Sequence, residues 1–361
     1  MMQTNRRVRW MAGRPSRFLR AGAVILPALL LAGTGCQLDR NEAMLMAGGA
    51  YGDLAVVVSQ DDLEPAVQPF LSRLNQPISF VIKEEMSYKV DVLRPDKWKL
   101  CKNYKNILFV VQWGAGGPVQ KEVSHLLSDE SLRRVQGGGL VQLDNPYARY
   151  QYVLVAVSPD RNMLASLLNR RVDEIRTGLE VSSRDRILQR FRHEGIAEDL
   201  VARNWSRYHF HLEIPKAYRQ NQENPRGFPS IEWMRNAPSR GITLAWRQEA
   251  DPRAFLDNRD ELLAWRREMG EKVHDEELVD QSLAWSDTTV AGLPALKLTG
   301  AWSGLKFAGG GPFWSLFVPD EQNGRVFCID LLCYAPNENK LPFFREMQAI
   351  ASTFSVETPQ P

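Results

Sequence analysis

The sequence predicts an α+β protein: two subdomains with largely antiparallel sheets, packed by a few long helices. Three observations carry that reading. Strand-like runs outnumber helical stripes and dominate the second half. The helical segments are few and long. Their order along the chain is mixed rather than strictly alternating. The chain has 361 residues, 44% hydrophobic and 24% charged, a globular composition with length enough for two modest domains.

The elements begin with a leader. Arg6, Arg7, Arg9, Arg14, Arg17 and Arg20 precede the apolar run AGAVILPALLLAG at 21–33, with no acidic residue among them. The run is shorter than the ~20 residues a spanning helix needs and fits the apolar core of a signal peptide over residues 1–35. It ends in LLLAGTGC, closing at Cys36, which resembles the lipobox of bacterial lipoproteins, with Gly33 where leucine is usual. The resemblance implies lipidation of Cys36, removal of what precedes it, and a membrane anchor made of several acyl chains. Gln37 after the cysteine implies the outer membrane, facing the periplasm or the surface. An ordinary cleaved signal, or a twin-arginine signal at Arg6-Arg7, are the competing readings.

The leader also distorts the charge. The chain carries +2, but six positive charges lie in the first 35 residues, so the remainder carries −4. A mildly acidic surface lacks the basic stripe that nucleic acid requires, so no nucleic-acid partner is expected. Cys101, Cys328 and Cys333 remain beyond Cys36. Cys328 and Cys333 stand five apart in a strand-like run and so point to opposite faces. One bridge to Cys101 and three free thiols are both open.

Residues 36–50 read as a tether. The N-terminal α/β subdomain, 51–205, opens with a strand at 54–59 and a helix with Val67, Phe70, Leu71 and Leu74 on one face. ISFVIKEE, NILFVVQW and YQYVLVAVS read as further strands. A long helix follows, with Ser158 as N-cap, Pro159 at its first position, and a stripe of Leu164, Leu168, Val172, Ile175 and Leu179. A second helical stretch runs from about Ser183 to Asn204, with a break at Gly195. The C-terminal α+β subdomain, 206–356, opens with YHFHLEIP, whose alternation predicts a half-buried strand. Strands are predicted at IEWMRN, GITLAWRQ, ALKLTGAW, FWSLFVP and RVFCIDLLCYAP, and helices at RDELLAWRREMGEKV and KLPFFREMQAIASTF. Residues 357–361 read as a tail.

Gly52-Asp53, Arg259-Asp260, Gly300-x-Trp302, Gly310–Phe313 and Tyr334-Ala-Pro336 together resemble an uncharacterised family of bacterial envelope lipoproteins. The match is sharpest over the last 60 residues. The resemblance implies location and approximate architecture; that family has no established activity to transfer.

No enzyme motif is complete. AGGGPFW at 308–314 lacks the Lys-Ser/Thr that a P-loop places after its glycines, and it leads into a strand rather than a helix. The bland reading is a turn in which Gly309, Gly310 and Gly311 allow positive φ or close backbone approach; the sharper one is the rim of a binding groove. WGAGGPVQ at 113–120 echoes it. Ser303 and Lys306 spell S-x-x-K but not on a helix. His209 and His211 are a weak metal candidate, with Glu213 next in line. Seven of ten tryptophans, Trp205, Trp233, Trp246, Trp265, Trp285, Trp302 and Trp314, lie between 205 and 314; they serve either a core or a sugar-stacking face. A candidate binding surface comprises Trp302, Gly309, Gly310, Gly311, Phe313, Trp314 and Tyr334, with Arg259 and Asp260. No catalytic residue, cofactor or metal is assigned. The expected function is an exported, lipid-anchored envelope protein that binds an envelope protein or glycan partner or assists assembly, more an adaptor than an enzyme. A glycan- or peptidoglycan-binding module and an envelope hydrolase or metal-dependent enzyme are the alternatives.

Overall fold

A computed structural model describes residues 8–9, 44–80 and 83–357. Cys36, and with it the lipobox, lies outside the described residues. No helix among them is long and apolar enough to cross a membrane. The chain parts into two compact units, residues 1–75 with 88–179, and residues 76–87 with 180–361.

In the first unit a two-residue strand β1 (Val8–Arg9) precedes β2 (Asp53–Val58) and helix α1 (Glu64–Leu74). The next two strands, β3 (Pro77–Phe80) and β4 (Lys83–Met86), form a hairpin that counts with the second unit. Then come β5 (Lys89–Leu93), β6 (Asn106–Gln112), α2 (Gly117–Leu126), α3 (Asp129–Val135), β7 (Gly139–Asp144), β8 (Tyr152–Ser158), α4 (Arg161–Arg170) and α5 (Val172–Glu194). The sheet order is β1-β7-β8-β6-β2-β5. Here the expectation of an antiparallel sheet is corrected: β5, β2, β6 and β8 run parallel, and only the β7 and β1 edge is antiparallel. The reason is two-sided burial, which parallel strands flanked by helices require. Leu54, Val56, Leu108, Val110 and Leu154 face a core shared with α1, α4 and Leu179 of α5. Ala55, Val57, Ile107, Phe109 and Val155 face another, shared with Val119 and Val123 of α2. The β1 pairing would be absent from a chain cleaved before Cys36.

Three local expectations also change. ISFVIKEE is the hairpin β3–β4 rather than one strand. The helix after β8 starts at Arg161, where Asp160, not Ser158, accepts from the Met163 amide at 2.8 Å. The predicted stripe is buried throughout but is divided between α4 and α5.

The second unit takes in α5 from Glu180 and then α6 (Glu198–Tyr208). It continues with β9 (Arg219–Glu223), β10 (Ser230–Arg235), β11 (Ser239–Gln248), α7 (Pro252–Asp257) and α8 (Arg259–Met269). A π turn over Gly270–His274 leads to β12 (Glu276–Leu278), β13 (Ala284–Val290), β14 (Leu293–Gly304), β15 (Gly310–Asp320), β16 (Arg325–Tyr334) and α9 (Leu341–Ala351). The eight strands form one antiparallel sheet in the order β12-β14-β15-β16-β11-β10-β9, with β13 also on β14. A register shift interrupts β9 against β10 between Glu232 and Trp233.

YHFHLEIP is not a strand: Tyr208 ends α6, His209 caps it in the left-handed conformation, and only isolated bridges follow. The alternation still reports burial, since Phe210, Leu212 and Ile214 are fully buried.

Each sheet face has its own cover. Phe313, Phe317, Val326, Cys328 and Leu332 pack with Phe255, Leu262, Trp265 and Met269 of α7 and α8. On the other face Trp314 stacks between Phe344 of α9, at 4.3 Å, and Phe80 of the hairpin, at 5.8 Å. The hairpin also caps α9: Glu85, itself buried, accepts from the amides of Lys340 at 2.6 Å and Leu341 at 2.9 Å. A carboxylate there meets both unpaired amides and the positive end of the helix dipole.

Candidate functional site

A single cross-strand row on the α7–α8 face of the second sheet is polar. Register places Glu232 of β10 opposite Thr243 of β11, Thr243 opposite Asp330 of β16, and Asp330 opposite Ser315 of β15. All four are buried. A row like this survives burial only if partners arrive from above. Arg266 of α8 donates from Nε to Asp330 Oδ1 at 2.9 Å and from Nη2 to Glu276 Oε1 at 2.7 Å. Ser315 Oγ donates to the same Asp330 oxygen at 2.5 Å. His274, at the end of the π turn, sets Nδ1 3.1 Å from Glu232 Oε1 and Nε2 3.4 Å from Thr243 Oγ1. Asn221 and Gln222 donate to the second Glu232 oxygen at 2.5 and 3.0 Å. The Arg266 guanidinium lies 4.5 Å from the centre of the Phe313 ring.

The wide π turn makes this geometry. It advances the chain so that His274 and Glu276 reach back over the row, and it needs Gly270: a Cβ there would lie 2.9 Å from the Glu276 carbonyl oxygen and 3.2 Å from Arg266 Nη1. Burial pulls the His274 imidazole toward neutrality, but the hydrogen bond to Glu232 and the charges of Glu276 and Glu232 win, and its pKa rises. Burial opposes ionisation of Glu232 too, and His274 overrides it, so that carboxyl falls below its usual range. Glu276 is raised, by burial first, against the pull of Arg266 and His274. Arg266, despite full burial, is held charged by Asp330 and Glu276. Arg266 Nη1 and Asp330 Oδ2 have no protein hydrogen-bond partner. The row is closed to substrate: the Arg266 and Asp330 side chains have no exposure. It is a clamp that fixes the π turn and β12 to the sheet.

What β12 holds is the β14–β15 hairpin tip. Glu276 pairs with Gly304 and Leu278 with Trp302. The Leu305 amide donates to the Asp275 carbonyl at 2.8 Å, and Lys306 Nζ lies 2.6 Å from the Asp275 carboxylate, which Arg226 also meets at 2.8 Å. Those hydrogen bonds, from Lys306 first and then Arg226, lower the Asp275 carboxyl. On this tip Leu305, Phe307 and Tyr334 are 49%, 48% and 41% exposed. Behind them Trp302 is buried, 6.1 Å from the Phe307 ring and 6.2 Å from the Tyr334 ring.

The glycines shape this tip by closeness rather than by handedness. None of Gly309, Gly310 and Gly311 has positive φ, which corrects that part of the expectation. A Cβ on Gly310 would lie 2.7 Å from the Trp302 carbonyl oxygen, and one on Gly311 would overlap the Cys333 carbonyl oxygen of the neighbouring strand. Gly304 is similarly confined, 2.6 Å from the Phe307 carbonyl oxygen.

Of the sequence-predicted surface, the structure gathers Trp302, Tyr334 and Gly309–Gly311 at the tip. Phe313 lies beneath Arg266, and Trp314 turns to the opposite face. Arg259 and Asp260 are exposed at the start of α8, about 16 Å of helix from Gly270; Asn258 caps that helix by accepting from Glu261, and Arg259 lies 5.9 Å from the Trp285 ring. None of the seven tryptophans is exposed, and they form no outward stacking face. His209 and His211 gather no further ligand; no group of three metal-binding side chains occurs among the described residues. Cys101, Cys328 and Cys333 are free and buried, and burial raises the thiols of Cys101 and Cys333 to about 12. Ser303 and Lys306 lie in the hairpin, not on a helix.

In the first unit WGAGGPVQ joins β6 to α2, with Gly114, Gly116 and Gly117 at positive φ. Two of its amides are already engaged: Gln120 Oε1 accepts from Gly114 and Gly116 at 3.0 and 2.9 Å.

The tip and the clamp lie inside a recognisable stretch of chain. Residues 200–353 match a domain of unknown function, DUF4837. That domain spans both α8 and the hairpin tip. No curated protein matches the chain. Among solved structures, CyanoP, the cyanobacterial PsbP of Synechocystis, is similar at 10% identity over 41% of this chain and 86% of its own, with a TM-score of 0.30. LpqN of Mycobacterium tuberculosis, described as involved in cell envelope biogenesis, is 16% identical over 40% of this chain and 82% of its own, at 0.26. A Bacteroides thetaiotaomicron protein is 8% identical over 41% of this chain, at 0.28, and the chain spans 45% of its length. Likeness at these scores carries no activity across.

Proposed function

We propose that the protein is an exported, lipid-anchored envelope protein whose DUF4837 domain binds a partner through the β14–β15 tip, without catalysing a reaction. The observation that carries this reading is the cluster of Leu305, Phe307 and Tyr334, apolar side chains presented together on a rigid, glycine-confined hairpin. Water-exposed aromatic and aliphatic groups backed by a packed tryptophan are what interface anchors look like. The charged groups of the domain support the same reading, since those best arranged for chemistry are sealed inside the clamp. Anchoring through Cys36 rests on the lipobox alone, and the outer membrane on Gln37.

A photo-crosslinking residue at Phe307 should yield a discrete adduct in cells, lost when Leu305 and Tyr334 are both changed to serine. The same probe at Glu321, at the far end of β15, should not. Equal labelling at both positions would count against the tip. Separately, Cys36→Ser should move the protein from the membrane to the soluble fraction; continued membrane association would remove the lipid anchor from this reading.

A further inference from the structure

The segment that follows the tether is pinned across one end of the first sheet. Leu45 accepts from the Arg149 amide at 2.9 Å, and Ala47 donates to the Arg149 carbonyl at 3.0 Å. Gly48 donates to the Asn103 carbonyl at 2.8 Å, and Lys105 Nζ donates to the Ala47 carbonyl at 3.1 Å. Met46 thereby bridges Arg149, and Gly48 bridges Tyr104, just ahead of the paired strands β8 and β6. Fixed as it is, the segment leaves Leu45 and Met46 85% and 57% exposed. Leu100 is 61% exposed beside it. It stands on a 3-10 helix, Pro95–Asn103. The three-residue period of that helix buries Trp98 and Cys101 and turns Lys97, Leu100 and Asn103 outward in one row. Asn103, the end of the row, is the residue that Gly48 meets. Lys99 and Lys102 flank Leu100, and both are exposed. Lys102 lies 4.8 Å from the Trp98 and Tyr147 ring centres and 3.6 Å from Glu122.

We infer that this end of the first unit rests on the bilayer, with Leu45, Met46 and Leu100 entering the headgroup layer. The inference rests on the lipid anchor at Cys36. Cys36 and Met44 stand eight residues apart, and a fully extended chain covers no more than about 30 Å in that distance. An anchored molecule therefore keeps Leu45 within that length of the lipid. The contact is then intramolecular, and a patch too small to bind from solution suffices. Because the backbone that carries Leu45 and Met46 is already fixed, little ordering is lost when they insert. Lys99 and Lys102 keep their ammonium groups at the phosphates while their stems lie along the apolar layer. Asp144, opposite Tyr152 at the same end of the sheet, and Glu122 keep the surface mixed in charge, so apolar insertion is the larger part of the contact.

The test uses the full chain as made in cells, with the fluorophore NBD on one introduced cysteine. Cys101, Cys328 and Cys333 are buried, with thiols raised by that burial, and the anchor blocks Cys36, so the label goes to the new site. Met46→Cys and Leu100→Cys should each gain NBD emission on reconstitution into vesicles of phosphatidylcholine and phosphatidylglycerol. Each should lose it again when the lipid carries a shallow spin label. Met163→Cys should do neither: Met163 is half exposed in α4, which follows the opposite end of β8. Leu45→Ser with Met46→Ser should reduce the gain at position 100 and leave the unfolding midpoint unchanged. Protein that floats with the vesicles but gives no signal at 46 and 100, or an equal one at 163, would overturn the inference and leave the anchor standing. A gain at 100 untouched by the two serines would overturn it as well. Protein that does not float would remove the anchor, and the inference with it. Emission that rises only in vesicles made from whole membrane extract would assign this end to a protein partner and not to lipid.

Discussion

His274 shows how much one side chain can be asked to do. It closes the row by meeting Glu232 and Thr243. Its pKa is raised in the folded protein, so the stability it contributes is complete below its ordinary value of ~6.5 and is lost as pH rises through the raised value. Glu232, depressed, works from the other side: its contribution holds above the ordinary carboxyl range and is lost as pH falls through the lowered value. Glu276, raised, also loses its contribution as pH climbs from the ordinary carboxyl range through its raised value. Thermal unfolding followed from pH 5 to pH 9 should therefore show stability falling on the alkaline side. His274→Gln should flatten that slope and cost about 3 kcal/mol or more, because Glu232 would stay buried without its cation. A wild-type profile flat across this range would show that the His274 pKa is not raised in the fold.

Little of this was legible in the sequence. The groups of the row lie on four strands, far apart in the chain, and only the sheet register brings them side by side. One signal was present. Leu262, Trp265, Arg266 and Met269 follow the spacing of a buried helical stripe, and all four are buried; an arginine in that stripe announces an acidic partner. Asp330 does the same within VFCIDLLCY, sharing a face with Cys328 and Leu332.

At the scale of elements, strands of the second sheet were readable because one apolar run after another ends in a turn. The parallel strands of the first were readable as strands but not as parallel, since a run such as NILFVVQ is apolar on both faces whichever way its neighbours run. The helices α2 and α3 and the strands β5, β7, β9, β12 and β13 are short or polar and gave no period long enough to detect. Strand β15 carries a test of its own. Gly311 has no room for a Cβ because the Cys333 carbonyl occupies it, whereas Gly309 has 3.3 Å to the flexible Phe307 and Tyr334 rings. Gly311→Ala should cost about 2 kcal/mol or more in urea unfolding, and Gly309→Ala only a few tenths, as neither needs a left-handed backbone. Equal costs at both positions would mean that close approach is not why glycine stands at 311.

At the scale of the whole molecule, the second unit is discontinuous in sequence. Residues 76–87 leave the first unit's run of chain, form the β3–β4 hairpin, and return. A chain read in order cannot show this, because the insert is one short strand-like run among others. Yet it supplies the Glu85 cap of α9 and the Phe80 face of the Trp314 stack. A fragment of residues 180–361 should accordingly bind the dye ANS and unfold well below the full chain. Joining 76–87 to its N-terminus through a flexible linker should recover much of the difference. If the bare fragment melts like the full chain, the hairpin is an ornament and not a structural part of the unit.

The open borders of that sheet matter once many copies share one surface. A strand at a border offers its backbone to any neighbour, and molecules tethered to a membrane meet at high local concentration. Here the β9 border is the sequence RQNQE, thrown out of register against β10, and the other border is divided between three-residue β12 and the polar AWSDTTV of β13. Neither presents a long, flat apolar template. Neither border of this sheet therefore offers a neighbouring copy the template that strand addition needs.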